Sequence, residues 1–84
     1  MIAWFTYLVR CRDGSLYCGI TKDITNRIAA HNAGTGAKYT RSRRPVTLSW
    51  KRRCRDESAA RRLEAAVKRL AKEEKEAMTA DFRR

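Results

Sequence analysis

A chain of 84 residues allows one domain with one small core and excludes a multidomain machine. Lysine and arginine outnumber aspartate and glutamate by 20 to 9, giving a formal net charge of +11. Such a charge repels itself in the folded state, so a polyanion is the economical partner and nucleic acid the first candidate. A membrane surface is the second candidate, but no strongly amphipathic helix with bulky apolar residues supports it. No window holds the roughly 18 apolar residues that cross a bilayer.

The start, MIAWFTYLVRC, has no basic n-region and no small-residue cleavage site, and this points to a cytoplasmic protein. Residues 2 to 11, rich in β-branched and aromatic types, read as a first strand. Asp13-Gly14 then marks a hairpin, because glycine takes positive φ at no steric cost. Leu16 to Ile20 returns antiparallel to the first strand, and Tyr7 and Tyr17 share this hairpin. Gly19 ends the strand, Asp23 is placed to cap a helix from Ile24 to Ala33, and Gly34 sits at its C-terminal end.

Thr35 to Pro45 lacks periodicity and reads as a loop. Val46 to Arg52 is a third strand, with Val46, Leu48 and Trp50 alternating against Thr47, Ser49 and Lys51. Asp56 caps a longer helix, Glu57 to about Lys72, with an apolar stripe of Ala59, Leu63, Ala66, Val67 and Leu70. Glu73 to Ala80 continues that helix or restarts it, with no clear cap between. The core spans about residues 4–78, residues 79–84 form a C-terminal tail, and Phe82-Arg83-Arg84 is its fraying end. The expected class is α+β: one domain with a small, at least partly antiparallel three-stranded sheet flanked by helices, in the order β-β-α-β-α(α).

The three cysteines, Cys11, Cys18 and Cys54, are an odd number without paired CxxC spacing. This argues against a disulfide framework and a zinc site and leaves them as small apolar fillers. Eight basic residues and no acid lie between Lys38 and Arg55: Lys38, Arg41, Arg43, Arg44, Lys51, Arg52, Arg53 and Arg55. On a loop and its adjoining strand they would form one stripe at phosphate spacing. Tyr39 and Trp50 lie within the run and could stack on exposed bases, though Trp50 better fits a core residue at an inward strand position.

Arg27 and His31 are i, i+4 on the first helix, beside the apolar pair Ile24 and Ile28. That places them at the edge of the buried face, half open to a groove. A lone histidine on a helix is more often packed than catalytic, and strand tyrosines usually serve the sheet. Glu64, beside Leu63 and Val67, reads by composition as an edge residue paired with Lys68. The alternative is a ligand for Mg²⁺, which binds through one or two carboxylates, waters and a substrate phosphate.

The ordered set resembles the GIY-YIG endonuclease superfamily. Tyrosines ten apart are followed by YxG, then arginine at +10 and histidine at +14 from the second tyrosine. The two motifs read Phe5-Thr6-Tyr7 and Tyr17-Cys18-Gly19; the tyrosines and the second glycine match, while the first glycine and both isoleucines are replaced. The strings RCRDGSLYCGIT, HNAGTGAKYTRSRRPV and LEAAVKRL are similar to the small, stand-alone bacterial members. The resemblance implies a phosphodiesterase using one divalent cation, Mg²⁺ or Mn²⁺. It implies that Glu64 binds the metal, that Tyr7 and Tyr17 flank the attacking water with one of them the general base, and that Arg27 sits at the scissile phosphate. It further implies that His31 orients the nucleophile and that Gly19 lets the strand pass close to the site. A tyrosine with pKa near ~10 serves as base only if cations depress that value.

The leading expectation is therefore a metal-dependent DNA endonuclease, acting on flexible substrates such as single strands or flaps, in repair or recombination. Its nucleic-acid contacts would be Lys38, Tyr39, Arg41, Arg43, Arg44, Lys51, Arg52 and Arg53, with a protein partner supplying target choice. The rivals are a nucleic-acid-binding module that keeps the fold without catalysis, and an adaptor for an acidic protein.

Overall fold

A computed structural model describes residues 3–82. The elements are β1 (Trp4–Arg10), β2 (Leu16–Thr21), α1 (Ile24–Ala33), α2 (Lys38–Arg41), β3 (Thr47–Cys54), α3 (Glu57–Lys68) and α4 (Lys72–Phe82). This is the expected α+β class, and the sheet is wholly antiparallel in the order β2-β1-β3. Ile2 of the expected first strand and Arg83 and Arg84 of the expected tail lie outside the described residues. Among the described residues no helix is long and apolar enough to cross a membrane.

The hairpin turns where Asp-Gly demands it. Gly14 takes φ +88°, and Asp13 Oδ1 accepts from both the N–H and the hydroxyl of Ser15. The register then sets the two faces of the sheet. Tyr7 pairs with Gly19 and Val9 with Tyr17, and directly paired residues of antiparallel strands project to the same side. Tyr7, Val9 and Cys11 form one apolar cluster with Val46, onto which Tyr17, Ile24, Ile28 and Leu48 pack. On the opposite face Leu8, Cys18, Trp50 and Val67 form the second, backed by Leu16, Leu63 and Met78. Thus α1 covers the tyrosine face, and α3 and α4 cover the other.

Both long helices are capped as their sequences require. Asp23 accepts from Asn26 N–H, Asp56 accepts from Ala59 N–H, and Gly34 closes α1 at φ +88°. Elsewhere the expectations need correction. Val46, Leu48 and Trp50 do not share a face. The β1–β3 register slips between Leu8 and Val9, so Leu8 faces Trp50 while Val9 faces Leu48, and Ser49 is the extra residue of a bulge. The loop between α1 and β3 contains the one-turn helix α2.

The buried stripe of α3 runs through Ala60 and Val67, and Ala66 is exposed. That helix stops at Lys68, and α4 is a separate helix whose first turn is capped by Glu74, which accepts from Ala71 N–H at 3.0 Å. Helix α4 continues through residues 79–82, with Thr79 buried. It is pinned to β1 by the bidentate Arg10–Glu76 ion pair, both N–O distances 2.6 Å.

Leu8 is 1% exposed at the centre of the middle strand. Leu8→Ala is expected to lower unfolding free energy by roughly 2–5 kcal/mol in urea titrations. Arg52→Ala, on the exposed part of β3, is expected to change it by less than about 0.5 kcal/mol.

Candidate active site

The tyrosine face of the sheet gathers side chains from β1, β2, α1 and α2. Tyr7 is fully buried, and its hydroxyl lies 2.8 Å from His31 Nε2 and accepts from Arg27 Nε at 3.3 Å. His31 is likewise fully buried, with Nδ1 2.8 Å from Thr40 Oγ1. The Thr40 hydroxyl gives its single proton to Ala37 O at 3.2 Å. It therefore accepts from His31 Nδ1–H, which leaves Nε2 as the acceptor of the Tyr7 proton. The line of donation runs from Arg27 to Tyr7, His31, Thr40 and the α2 backbone.

Two glycines make the room for this line. A Cβ on Gly19 would stand 2.5 Å from the Tyr7 hydroxyl oxygen, so the phenol can lie against β2 only where that strand has no side chain. A Cβ on Gly36 would stand 2.6 Å from His31 Nδ1 and 2.8 Å from its Cα. The segment before α2 thus lies directly on the imidazole and seals it. This overturns the expectation that His31 opens onto a groove; Arg27 alone keeps the intermediate exposure expected of both.

Burial sets the protonation. It pushes the Tyr7 phenol up, against the hydrogen bond and charge of Arg27, and it pushes His31 down, helped by the same guanidinium. Both groups are therefore neutral at pH 7. Tyr17, partly exposed, is held differently. Its ring meets the edge of His31 at a 5.5 Å centroid distance and stacks on Tyr39 at 5.7 Å. Arg43 covers Tyr39 at 4.0 Å and is tied to Asp13 of the hairpin turn at 3.0 Å. Among the described residues the Tyr17 hydroxyl has no hydrogen-bond partner, so it is the phenol presented outward.

Arg27 is fixed on two sides. Nε donates to Tyr7 and Nη2 to Gly36 O at 3.1 Å, while Nη1 has no partner among the described residues. A guanidinium so held has one edge left for an anion.

The basic run does not form one stripe. Strand alternation sends Lys51 and Arg53, paired with Tyr7 and Phe5, to the tyrosine face, and Arg52 to the opposite face over the Trp50 ring. Trp50 itself is 7% exposed and belongs to the core. Lys38 and Tyr39 are exposed on α2, while Arg41, Arg43 and Arg44 each bond backbone carbonyls of the α1–β3 connection.

Glu64 stands on α3, whose Leu63 and Val67 pack on the face opposite to Tyr7, and its ion-pair partner is Lys68 at 3.4 Å. Among the described residues no hydrogen bond joins it to Tyr7 or Tyr17. Its charge is felt on β2, where burial first and Glu64 second push the Cys18 thiol up to about 12. No three His, Cys, Asp or Glu side chains converge as a metal cage among the described residues. One partly buried carboxylate fits a hydrated Mg²⁺ or Mn²⁺ completed by water and phosphate, and it does not fit a site built wholly of protein ligands.

Sequence reasoning passed over Thr40 and Gly36. Gly36 carried a signal, since a loop glycine with no Cβ lets the backbone approach a neighbour closely; Thr40 carried none. Asn32, also passed over, joins α1 to β3 by exchanging two hydrogen bonds with the Val46 backbone.

A two-tyrosine hairpin packed on an arginine- and histidine-bearing helix defines the class. Residues 3–77 match the family model described as "GIY-YIG catalytic domain", and the chain belongs to the GIY-YIG family. Its relatives within that family include UPF0213 proteins. That of Desulfotalea psychrophila is 54% identical over 82% of this chain and 64% of the relative; that of Vibrio cholerae is 48% identical over 96% and 81%. The chain thus spans just under two thirds of the Desulfotalea protein. The NMR structure of a UPF0213 protein from Bacillus halodurans is 38% identical with a TM-score of 0.59, covering 93% of this chain and 83% of that one. Membership places the chain among nuclease-type domains, which bind nucleic acid and generally use divalent metal ions.

His31 is the only histidine, so its ring signals are unambiguous in an NMR titration. The ring is expected to titrate below 6.5, its ordinary value. The unfolded chain then binds a proton that the folded chain refuses. Stability contributed by neutral His31 is full above pH 6.5 and falls as pH drops below it towards the folded pKa. Urea midpoints measured from pH 7.5 down to 5 are expected to fall, and His31→Gln is expected to flatten that slope.

Proposed function

We propose that the protein is a metal-dependent endonuclease that hydrolyses phosphodiester bonds in DNA, single-stranded or branched strands among them, in repair or recombination. The observation that carries the reading is the open Nη1 edge of Arg27, held from behind by Tyr7 and Gly36 on the sheet face that also presents Tyr17. Attack on a phosphodiester concentrates negative charge on the phosphoryl oxygens. A guanidinium fixed before the reaction receives that charge without reorganising.

The two tyrosines divide the labour. Tyr7 is buried, with hydrogen bonds to His31 and Arg27 already made, so it positions Arg27 and His31. Tyr17 has a free hydroxyl and a ring gripped by His31 and Tyr39, so it receives the attacking water and orients it at phosphorus. Lys51 and Arg53 extend the positive surface beside Tyr7 and Phe5 and hold flanking phosphates. Glu64 would hold the Mg²⁺ or Mn²⁺ ion, which when bound neutralises charge on the phosphate.

The Glu64–Lys68 pair over the opposite sheet face favours a second reading, a nucleic-acid-binding domain without catalysis. Labelled single-stranded, flapped and duplex DNAs incubated with Mg²⁺ or Mn²⁺ separate the two. The first reading expects cleavage by the wild type, a fall of roughly 10²–10³ in rate for Arg27→Ala, and loss of metal-dependent cleavage for Glu64→Ala. Glu64→Ala cleaving as fast as wild type would remove the metal role. Salt-dependent binding with no cleavage of any substrate would establish the second reading.

A further inference from the structure

A second cationic site lies outside the tyrosine face, where the α1–β3 connection meets the hairpin turn. Arg12, Asn32, Arg41, Ser42, Arg44 and Pro45 line an open cavity of about 450 Å³, and no carboxylate lines it. Three guanidinium groups in one cavity repel each other, and the structure offers them no acid in compensation. The nearby Asp13 carboxylate is engaged by Arg43.

Two of the three arginines are held by backbone carbonyls. Arg41 Nε donates to Gly34 O at 3.2 Å. Arg44 donates through Nε to Arg41 O at 2.8 Å and through Nη1 to Asn32 O at 3.4 Å. The Arg44 guanidinium occupies the space that a side chain at residue 34 would fill; a Cβ on Gly34 would stand 2.9 Å from Nη1. Attraction to the carbonyl ends of α1 (Asn32 and Gly34) and of α2 (Arg41) accounts for these bonds. It does not account for Arg12, which comes from the hairpin turn and whose side chain has no partner among the described residues. The turn is held against the connection by Arg12 N–H donating to Arg43 O at 2.9 Å. Both Nη groups of Arg41, Nη2 of Arg44 and the whole Arg12 guanidinium remain without protein acceptors among the described residues.

We propose that Arg12, Arg41 and Arg44 form an anion subsite for a phosphate group of a nucleic-acid strand, separate from the phosphate held by Arg27. The proposal rests on the nucleic-acid reading above and adds a defined anchoring point to it. Helix α2 borders both sites: Thr40 bonds His31, and the next residue, Arg41, lines the second cavity. A strand held here is therefore registered against the tyrosine face by one turn of helix. The phosphate has two sources, an internal phosphodiester or a terminal phosphomonoester, and three donor-rich groups suit either charge.

The test uses fluorescein-labelled oligonucleotides of one sequence, with and without a 5′-phosphate, in anisotropy titrations between about 50 and 200 mM salt. The variant Arg12→Gln/Arg41→Gln changes exposed side chains and leaves Arg27, His31 and Tyr17 intact. It is expected to weaken binding roughly tenfold or more and to flatten the salt dependence by one to two contacts' worth. Equal loss for both oligonucleotides identifies an internal phosphodiester; loss confined to the phosphorylated one identifies a strand end. Unchanged affinity and salt slope in this variant, with both reduced in Lys51→Gln/Arg53→Gln, would overturn the subsite and leave the endonuclease reading standing. Wild-type protein that binds neither oligonucleotide would overturn both.

Discussion

The site depends on the Tyr7 phenol lying against the backbone of Gly19. Because β2 offers no side chain at that position, the phenol reaches across the strand pair and places its oxygen between His31 and Arg27. Every further placement follows from that oxygen. It accepts from Arg27 and so aims the guanidinium; it donates to His31 Nε2, the tautomer being set by Thr40 of α2, which accepts from Nδ1–H. Tyr7, His31 and Thr40 are all fully buried, and an unpaired polar group at such depth costs about 1–3 kcal/mol. Among the described residues no buried side-chain polar atom lacks a partner. The network is therefore formed as a unit, since losing one member strands its neighbours.

The two tyrosines of the hairpin show how one residue type takes two roles from context alone. They project from the same sheet face, two positions apart in register. Tyr7 is on the central strand, beneath α1, and becomes a buried positioning group. Tyr17 is on the edge strand, where the cover is thinner and consists of Tyr39 from α2. The Asp13–Arg43–Tyr39 chain joins the hairpin turn to that cover, so the turn that sets the β1–β2 register also secures the lid over Tyr17.

What the sequence made legible was governed by local physics. The Asp-Gly turn, the Asp23 and Asp56 caps and the Gly34 stop each act within a few residues, and each is found where the residues place it. Strand alternation likewise put Tyr7 and Tyr17 together. The misreadings arise from contacts made outside the element being read. Alternation in β3 put Trp50 beside Leu48, but the bulge at Ser49 answers to the register against β1, which no β3 residue declares. Periodicity put His31 at the rim of the core, yet its burial is decided by Gly36 and Thr40 folding back over it. Counting arginines suggested one stripe, whereas the chain distributes them over two sheet faces and a separate cavity, because their positions follow backbone geometry rather than charge.

The same geometry bears on how a strand would meet the site. Tyr17 and α1 belong to one face of the sheet, and α3, which carries Glu64, packs Leu63 and Val67 on the other. The strand order β2-β1-β3 makes β2 an edge, and Cys18, the thiol on which the Glu64 charge acts, sits on that edge between Tyr17 and Gly19. On the proposed reading, a linkage that touches Arg27 and an ion that Glu64 would hold would pass around the β2 edge. Continuous duplex is stiff, and bending a site of roughly 20–30 bp by 40–90° costs on the order of 1–6 kcal/mol. A single strand rounds the same edge freely. On the proposed reading, a use of flexible strands would rest on this edge strand between the two helix layers, independently of any base-reading side chain.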